Sequence, residues 1–314
     1  MSSSRVVVTG GTGFIGSKLC EELLSRGVTV YAVVRSNSSQ RTRLLNHSGL
    51  IIVEGDLNNV IQWSTELKRV QGGFDVFYHL AWEGVGNKYR NDQIQINNLN
   101  SLLETIKLAK ELGCSQWIGT GSQAEYGPLN EIIQEEAPNK PTTLYGATKV
   151  AGGNMSAILG RELGIPCQWV RIFSTYGPGD SGGWMLIDVI GQLLDGVTPK
   201  LTLGEQLWDY LHVQDAAEAL IALAESAPVD SNTYNLGSGS SQTIRAIVET
   251  VRDIIDPDIP LCFGDIPYRP DQVMHLEANV DKLREQTGWK PKIDLKNGLN
   301  QTVEYIRNSR LAQS

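Results

Sequence analysis

Arg5-Val6-Val7-Val8-Thr9-Gly10-Gly11-Thr12-Gly13-Phe14-Ile15-Gly16 joins an apolar, β-branched run to a turn in which glycine recurs at 10, 11, 13 and 16. The turn satisfies two registers, Gly11-x-Gly13-x-x-Gly16 and Gly10-x-x-Gly13-x-x-Gly16. Glycine is required where a backbone turns tightly, approaches a pyrophosphate closely, and packs a helix on a strand. Ile15, Leu19, Leu23 and Leu24 then follow at helical spacing. A bare glycine pattern says little; strand, glycine turn and amphipathic helix in succession describe a dinucleotide-binding unit. Gly10, Gly13, Phe14, Ile15 and Gly16 are therefore expected to contact the cofactor, with the helix N-terminus facing its phosphates.

The same rhythm continues through the first half of the chain. Strands are expected at Arg5–Val8, Val28–Val34, Leu50–Val53, Asp75–Leu80, Gln116–Gly119 and Gln168–Ile172, with helices near Asn98–Leu112 and Tyr145–Leu163. Such βαβ alternation predicts an α/β fold, a doubly wound parallel sheet of the Rossmann type with helices on both faces. Ligands then gather beyond the carboxyl ends of the strands. After about Ser174 the pattern loosens, with glycine and proline concentrated in Tyr176–Gly183. Residues 1–173 are read as the dinucleotide-binding domain and 174–314 as mainly a smaller substrate lobe, from which about 207–237 is expected to return to the first domain. That stretch holds a helix at Gln214–Ala224 and a strand at Tyr234–Leu236, and a closing helix follows at Lys296–Arg307.

Two further patterns carry chemistry. Tyr145 and Lys149 are four residues apart and share one helix face, so the lysine ammonium is expected to favour the tyrosine phenolate. At the end of the second strand, where an acidic residue would bind the ribose of NAD, the chain reads Val34-Arg35-Ser36-Asn37-Ser38-Ser39, with Arg41 and Arg43 beyond. A guanidinium followed by hydroxyl donors suits a 2′-phosphate, which favours NADP over NAD. Alternatively, Arg35 stacks on adenine or faces solvent. Asp56 and Leu57, after the third strand, are the expected adenine contacts.

Composition narrows the setting. The 314 residues include 27 Lys and Arg against 35 Asp and Glu, a net charge of −8, which disfavours nucleic acid and anionic lipid as partners. No apolar run approaches the ~18 residues of a membrane helix, and no signal peptide is visible. Cys20, Cys114, Cys167 and Cys262 form no metal spacing and read as thiols in a reducing, cytoplasmic setting. No metal is expected. His79 and His212 sit in apolar runs and read as packed core residues.

At this point the chain resembles extended short-chain dehydrogenases/reductases of the NAD-dependent epimerase/dehydratase family, which act on nucleotide sugars. The resemblance rests on Thr9–Gly16, His79-Leu80-Ala81, Asn97, Gly121–Gly127, Tyr145–Lys149, Arg171-Ile172-Phe173, Tyr176–Gly179, Gly204–Asp215, Tyr234–Gly237, Arg269-Pro270-Asp271 and Gly288–Pro291. It implies that Ser122 orients the sugar oxygen beside Tyr145, which exchanges a proton with it, and that Lys149 binds the nicotinamide ribose. Leu80, Ala81 and Phe173 would line the cofactor, and Trp82, Gln123, Ser174, Trp208 and Arg269 the substrate, with Arg269 at its diphosphate. It also implies a homodimer joined through the helices near 98–112 and 145–163.

The departures from that pattern bear on the reaction. Dehydratases of the family place an acidic pair where this chain has Gln123 and Ala124, which perform no such acid/base work. Trp208 stands where an arginine is usual, and Ser174 where an asparagine is usual. Reduction of the C4 keto group of a nucleoside-diphosphate 4-keto-6-deoxyhexose is the first expectation, supported by Arg35. A nucleotide-sugar 4-epimerase that retains NAD, similar to UDP-glucose 4-epimerase, is the alternative. A non-catalytic dinucleotide sensor is a remote third.

Overall fold

Val6, Val7 and Val8 are buried because the strand they form lies inside a sheet covered on both faces. A computed structural model of the chain describes residues 4–180, 183–270 and 272–311. Ser181 and Gly182 of the glycine-rich turn, and Asp271 of the Arg269–Asp271 motif, lie outside the described residues.

The first half of the chain forms β1 (Arg5–Thr9), α1 (Phe14–Ser25), β2 (Thr29–Val34), β3 (Leu50–Glu54), α2 (Val60–Leu67), β4 (Val76–His79), α3 (Ile94–Glu111), β5 (Gln116–Ser122), β6 (Glu131–Ile133), α4 (Leu144–Leu163) and β7 (Cys167–Ile172). The second half forms β8 (Ser174–Tyr176), α5 (Met185–Leu194), β9 (Lys200–Leu201), β10 (Leu207–His212), α6 (Val213–Glu225), β11 (Asn232–Leu236), β12 (Ser241–Thr243), α7 (Ile244–Ile255), β13 (Cys262–Phe263), β14 (His275–Ala278), α8 (Asp281–Thr287) and α9 (Leu295–Leu311).

Seven strands make the large sheet, in the order β11-β7-β5-β4-β1-β2-β3, and every pairing is parallel. This is a Rossmann-like α/β fold. The register aligns Thr9 with both Val33 and His79, so the strands end along one edge. The strand order reverses between β1 and β4, and the crevice outside that point is where such sheets hold ligands.

Alternation along β1 sends Val6 and Val8 to one face and Val7 to the other. Val6 and Val8 join Leu19, Leu23 and Leu24 of α1 and Ala216 and Leu220 of α6. Val7 joins Phe77, Leu102, Ile106, Trp117 and Trp169 beneath α3 and α4. The smaller sheet runs β12-β10-β14-β6, with β8 beside β10. A third core of Leu186, Ile190, Ile247, Val251, Leu299 and Val303 holds α5, α7 and α9 together.

The two parts exchange chain. From the 207–237 stretch, α6 packs with α1 and β11 pairs with β7, whereas β10 belongs to the smaller sheet. In the opposite direction β6, from the first half, leaves to pair with β14. The helices α2, α5, α7 and α8 lie beyond those read from the sequence. His79 and His212 are buried at the ends of β4 and β10, and burial pushes both imidazoles down, to about 3 and about 4. Among the described residues no helix is long and apolar enough to cross a membrane, and no cluster of potential metal ligands occurs.

Candidate active site

A cleft of about 1130 Å³ opens along the carboxyl edge of the large sheet, and all of the site residues expected from the sequence line it. Its cofactor end is built by the turn after β1. Gly10 holds φ +74°, and a Cβ there would lie 2.6 Å from the Ala81 nitrogen, so only glycine lets this turn pass against the Leu80–Ala81 backbone. Leu80 and Ala81 are fastened to β1 in turn: the Leu80 N–H donates to the Thr9 carbonyl at 3.1 Å. Gly13 precedes α1 without a side-chain cap, so the first-turn N–H groups of Phe14, Ile15 and Gly16 remain for an anion in the cleft. These features fit a dinucleotide pyrophosphate.

Arg35 and Arg43 line the same end, with Asp56 and Leu57 nearby. The Arg35 side chain is 57% exposed and pairs with Glu83 across the cleft at 3.5 Å. Arg43 donates to the Thr12 carbonyl at 3.5 Å, which holds the 35–43 loop against the glycine turn. Asp56 caps its own short helix by accepting from the Asn58 N–H at 2.8 Å.

The three expected catalytic side chains meet at the centre. Ser122 ends β5; Tyr145 and Lys149 lie on the first turns of α4. Thr143 caps α4, accepting from the Gly146 N–H at 3.1 Å. A Cβ at Gly146 would lie 2.9 Å from that of Pro141 and collide with the Ala124 carbonyl, so glycine brings the helix against the turn after Ser122. Burial pushes the Tyr145 phenol up from its ordinary value, opposed by the interaction with Ser122 and then by the positive charge of Arg90. Lys149 is buried and donates to the Thr120 carbonyl at 2.6 Å, with its ammonium 3.6 Å from the Trp82 ring centroid. Burial pulls that ammonium down to about 7, against the attraction of Glu125.

The arrangement revises one expectation from the sequence. Lys149 lies 5.8 Å from the Tyr145 ring centroid but spends its donor on Thr120, and the cation that acts on the phenol is Arg90. Arg90 was invisible in the helical spacing because it comes from the loop between β4 and α3. Its guanidinium carbon sits 5.2 Å from the Tyr145 ring centroid.

Glu125 is the second residue that sequence reasoning passed over. It is fully buried, accepting from the Ser122 N–H at 2.9 Å, Trp169 Nε1 at 3.0 Å and Arg171 Nε at 2.7 Å. The signal was available: Ser122-x-x-Glu125 is a capping box, and its two side chains hold the turn that presents the Ser122 hydroxyl.

On the substrate side, two departures from the family pattern prove to be joined. Trp208 Nε1 donates to the Ser174 hydroxyl at 2.8 Å, and both face the cleft with Gln123 and the exposed Arg269. Trp82 turns its N–H to Gln95 at 2.8 Å and its face to Lys149, so it covers the lysine as well as lining the cleft. Phe173 is buried behind the site against Tyr126.

A sheet edge with a glycine cradle beside a Ser-Tyr-Lys set defines the class of protein. The model of the NAD dependent epimerase/dehydratase family matches residues 6–237, and the chain belongs to that family. It is an enzyme of the nucleotide-sugar epimerase/dehydratase group. UDP-glucose 4-epimerase of Azospirillum brasilense is 29% identical over 95% of this chain and 90% of its own length. The UDP-N-acetylglucosamine 4-epimerase from Methanobrevibacter ruminantium M1, solved in complex with UDP-N-acetylmuramic acid, superposes with a TM-score of 0.87 at 26% identity, covering 98% of this chain and 100% of the other. MoeE5 in complex with UDP-glucose and NAD superposes with a TM-score of 0.81 at 25% identity, covering 98% and 100%.

Proposed function

We propose that the protein is a UDP-sugar 4-epimerase that removes and returns hydrogen at C4 of the hexose. The observation that carries this reading is the Tyr145 phenol beside Ser122, at the edge where the glycine turn receives a dinucleotide. When bound, a nicotinamide dinucleotide supplies the two-electron exchange, taking hydride from C4 and giving it back to the opposite face. Tyr145 accepts the O4 proton during oxidation and returns it during reduction, so protons balance over the cycle. The Ser122 hydroxyl orients O4 toward Tyr145. Lys149 holds the ribose of the dinucleotide. Gly10, Gly13, Phe14, Ile15 and Gly16 cradle the pyrophosphate, Asp56 and Leu57 contact adenine, and Leu80, Ala81 and Phe173 border the nicotinamide. Trp82, Gln123, Ser174, Trp208 and Arg269 receive the nucleotide sugar, Arg269 at its diphosphate. Ile96 on α3 and Met155 and Ile158 on α4 expose apolar surface that supports a homodimer through these helices.

A second reading has its own support. Arg35 and Arg43 at the adenosine end suit the 2′-phosphate of NADP, and an exchangeable NADPH fits net reduction of a 4-keto-6-deoxyhexose better than a closed epimerase cycle. The two separate in one experiment. Purified protein is assayed with UDP-glucose and no reductant for formation of UDP-galactose, and with a nucleoside-diphosphate 4-keto-6-deoxyhexose for loss of NADPH absorbance. Epimerisation without added reductant is the expected result. NADPH oxidation that depends on the keto sugar, without epimerisation, selects the reductase. In either case Tyr145→Phe lowers turnover by about 10²- to 10⁴-fold, and turnover near wild type in that variant overturns both readings.

A further inference from the structure

Three arginines on the cleft have no carboxylate partner among the described residues: Arg43, Arg90 and Arg269. Two of them stand where phosphates are expected, Arg43 at the adenosine ribose and Arg269 at the sugar diphosphate. Arg90 stands apart, beside Tyr145. It is firmly placed there, because the Tyr145 N–H donates to the Arg90 carbonyl at 2.8 Å and the Leu144 N–H donates to Asn91 Oδ1 at 3.0 Å. The loop is thereby fastened to the first turn of α4. The guanidinium carbon lies 5.2 Å from the Tyr145 ring centroid and 5.8 Å from that of Trp184, so two aromatic faces hold it. Its Nε is buried from solvent and has no acceptor.

A half-buried guanidinium with an unused donor invites an anion, and the chemistry at Tyr145 indicates which one. In a pyranose, C1 with its diphosphate lies across the ring from C4, whereas C5 and its C6 substituent adjoin C4. With C4 at Tyr145, a cation beside that ring reaches the C6 substituent rather than the phosphates. A hydroxymethyl or methyl group there leaves the guanidinium partly desolvated without a counter-charge, which is costly. A carboxylate offers the planar, two-pronged acceptor that a guanidinium matches. We infer that Arg90 forms a carboxylate subsite beside the reacting carbon, which makes the substrate class a nucleoside-diphosphate hexuronate. The inference rests on the C4 chemistry proposed above and adds the identity of the group at C6.

The test is an equilibrium one, so it does not depend on turnover. Protein saturated with NAD is titrated calorimetrically with UDP-glucuronate and with UDP-glucose, as wild type, Arg90→Met and Arg90→Lys. Wild type is expected to favour the uronate by about 10- to 100-fold, the range of a charge-assisted pair. Arg90→Met removes that preference by weakening the uronate alone, and Arg90→Lys, which keeps the charge but not the fork, retains part of it. Equal affinities in wild type overturn the inference, and so does failure of either sugar to bind. Equal losses for both sugars in Arg90→Met overturn it too, because they assign Arg90 to the diphosphate or to Tyr145. Equal affinities together with epimerisation of UDP-glucose leave the C4 reading standing without the subsite. A uronate preference without any exchange at C4 does the reverse.

Discussion

Lys149 is buried among Thr120, Trp82 and Trp169, where its ammonium has one hydrogen bond and two aromatic faces. Burial depresses its pKa from 10.5 to about 7. Between those values the unfolded chain binds a proton that the folded chain does not. The stability contributed by neutral Lys149 is therefore complete above 10.5 and is lost as pH falls toward 7. Without added cofactor, wild type should gain stability relative to Lys149→Met between pH 7 and 9, by up to about 1.4 kcal/mol per pH unit. Urea midpoints of the two proteins across that range check it, and parallel curves would remove the assignment. The pairing of Tyr145 with Lys149 was readable from their spacing. The direction of the ammonium was not, since Trp82 and Thr120 determine it from other elements. Arg90 left no periodic trace at all, because a loop side chain is aimed by the partners of its backbone, here the N–H of Tyr145.

The helix that carries Tyr145 approaches the β5 turn as closely as it does because residue 146 lacks a side chain. Gly146→Ala is expected to push the first turn of α4 away from Ala124 and Pro141, at about 1–3 kcal/mol of overpacking. Since Tyr145 and Ser122 stand on the two sides of that contact, kcat should fall more than cofactor affinity does. Unfolding curves, turnover and dinucleotide titration on one preparation test this, and unchanged kcat with lowered stability would separate helix placement from chemistry. The main parallel strands and the helices α3 and α4 were legible because their runs are apolar and their turns rich in glycine. The helix α7 was legible too: Thr243 caps it, and Ile244, Ile247, Val248 and Val251 form its buried stripe. In α5, by contrast, Met185-Leu186-Ile187 and Val189-Ile190 are adjacent apolar pairs and triplets, and such a run reads equally as a buried strand.

A buried polar network ties the two sheets into one body. Arg171 on β7 pairs with Glu125 and donates to Tyr126 Oη at 2.7 Å, the Glu135 carbonyl at 3.0 Å and Asn139 Oδ1 at 3.2 Å. Tyr126 passes its own proton to Asn235 on β11, whose amide nitrogen donates to the Ile133 carbonyl on β6. Arg171→Met strands the Glu125 carboxylate and should cost about 3–5 kcal/mol. Urea unfolding measures this, and a loss below about 1 kcal/mol, the worth of an exposed pair, would contradict it. The exchange of β6 and β11 between the parts could not be read from the sequence, because strand pairing across a hundred residues leaves no local pattern.

That exchange also bears on how the chain is made. Until Asn232–Leu236 has left the ribosome, the outer edge of β7 has no neighbour, and Trp169 and Val170 lie along a sheet that is one strand short. A nascent chain halted near residue 173 therefore displays an unpaired hydrophobic border, the kind of surface chaperones hold and aggregates grow from. The nucleotide-binding half matures only once the later half has been translated, so the order of synthesis and the order of completion differ in this protein.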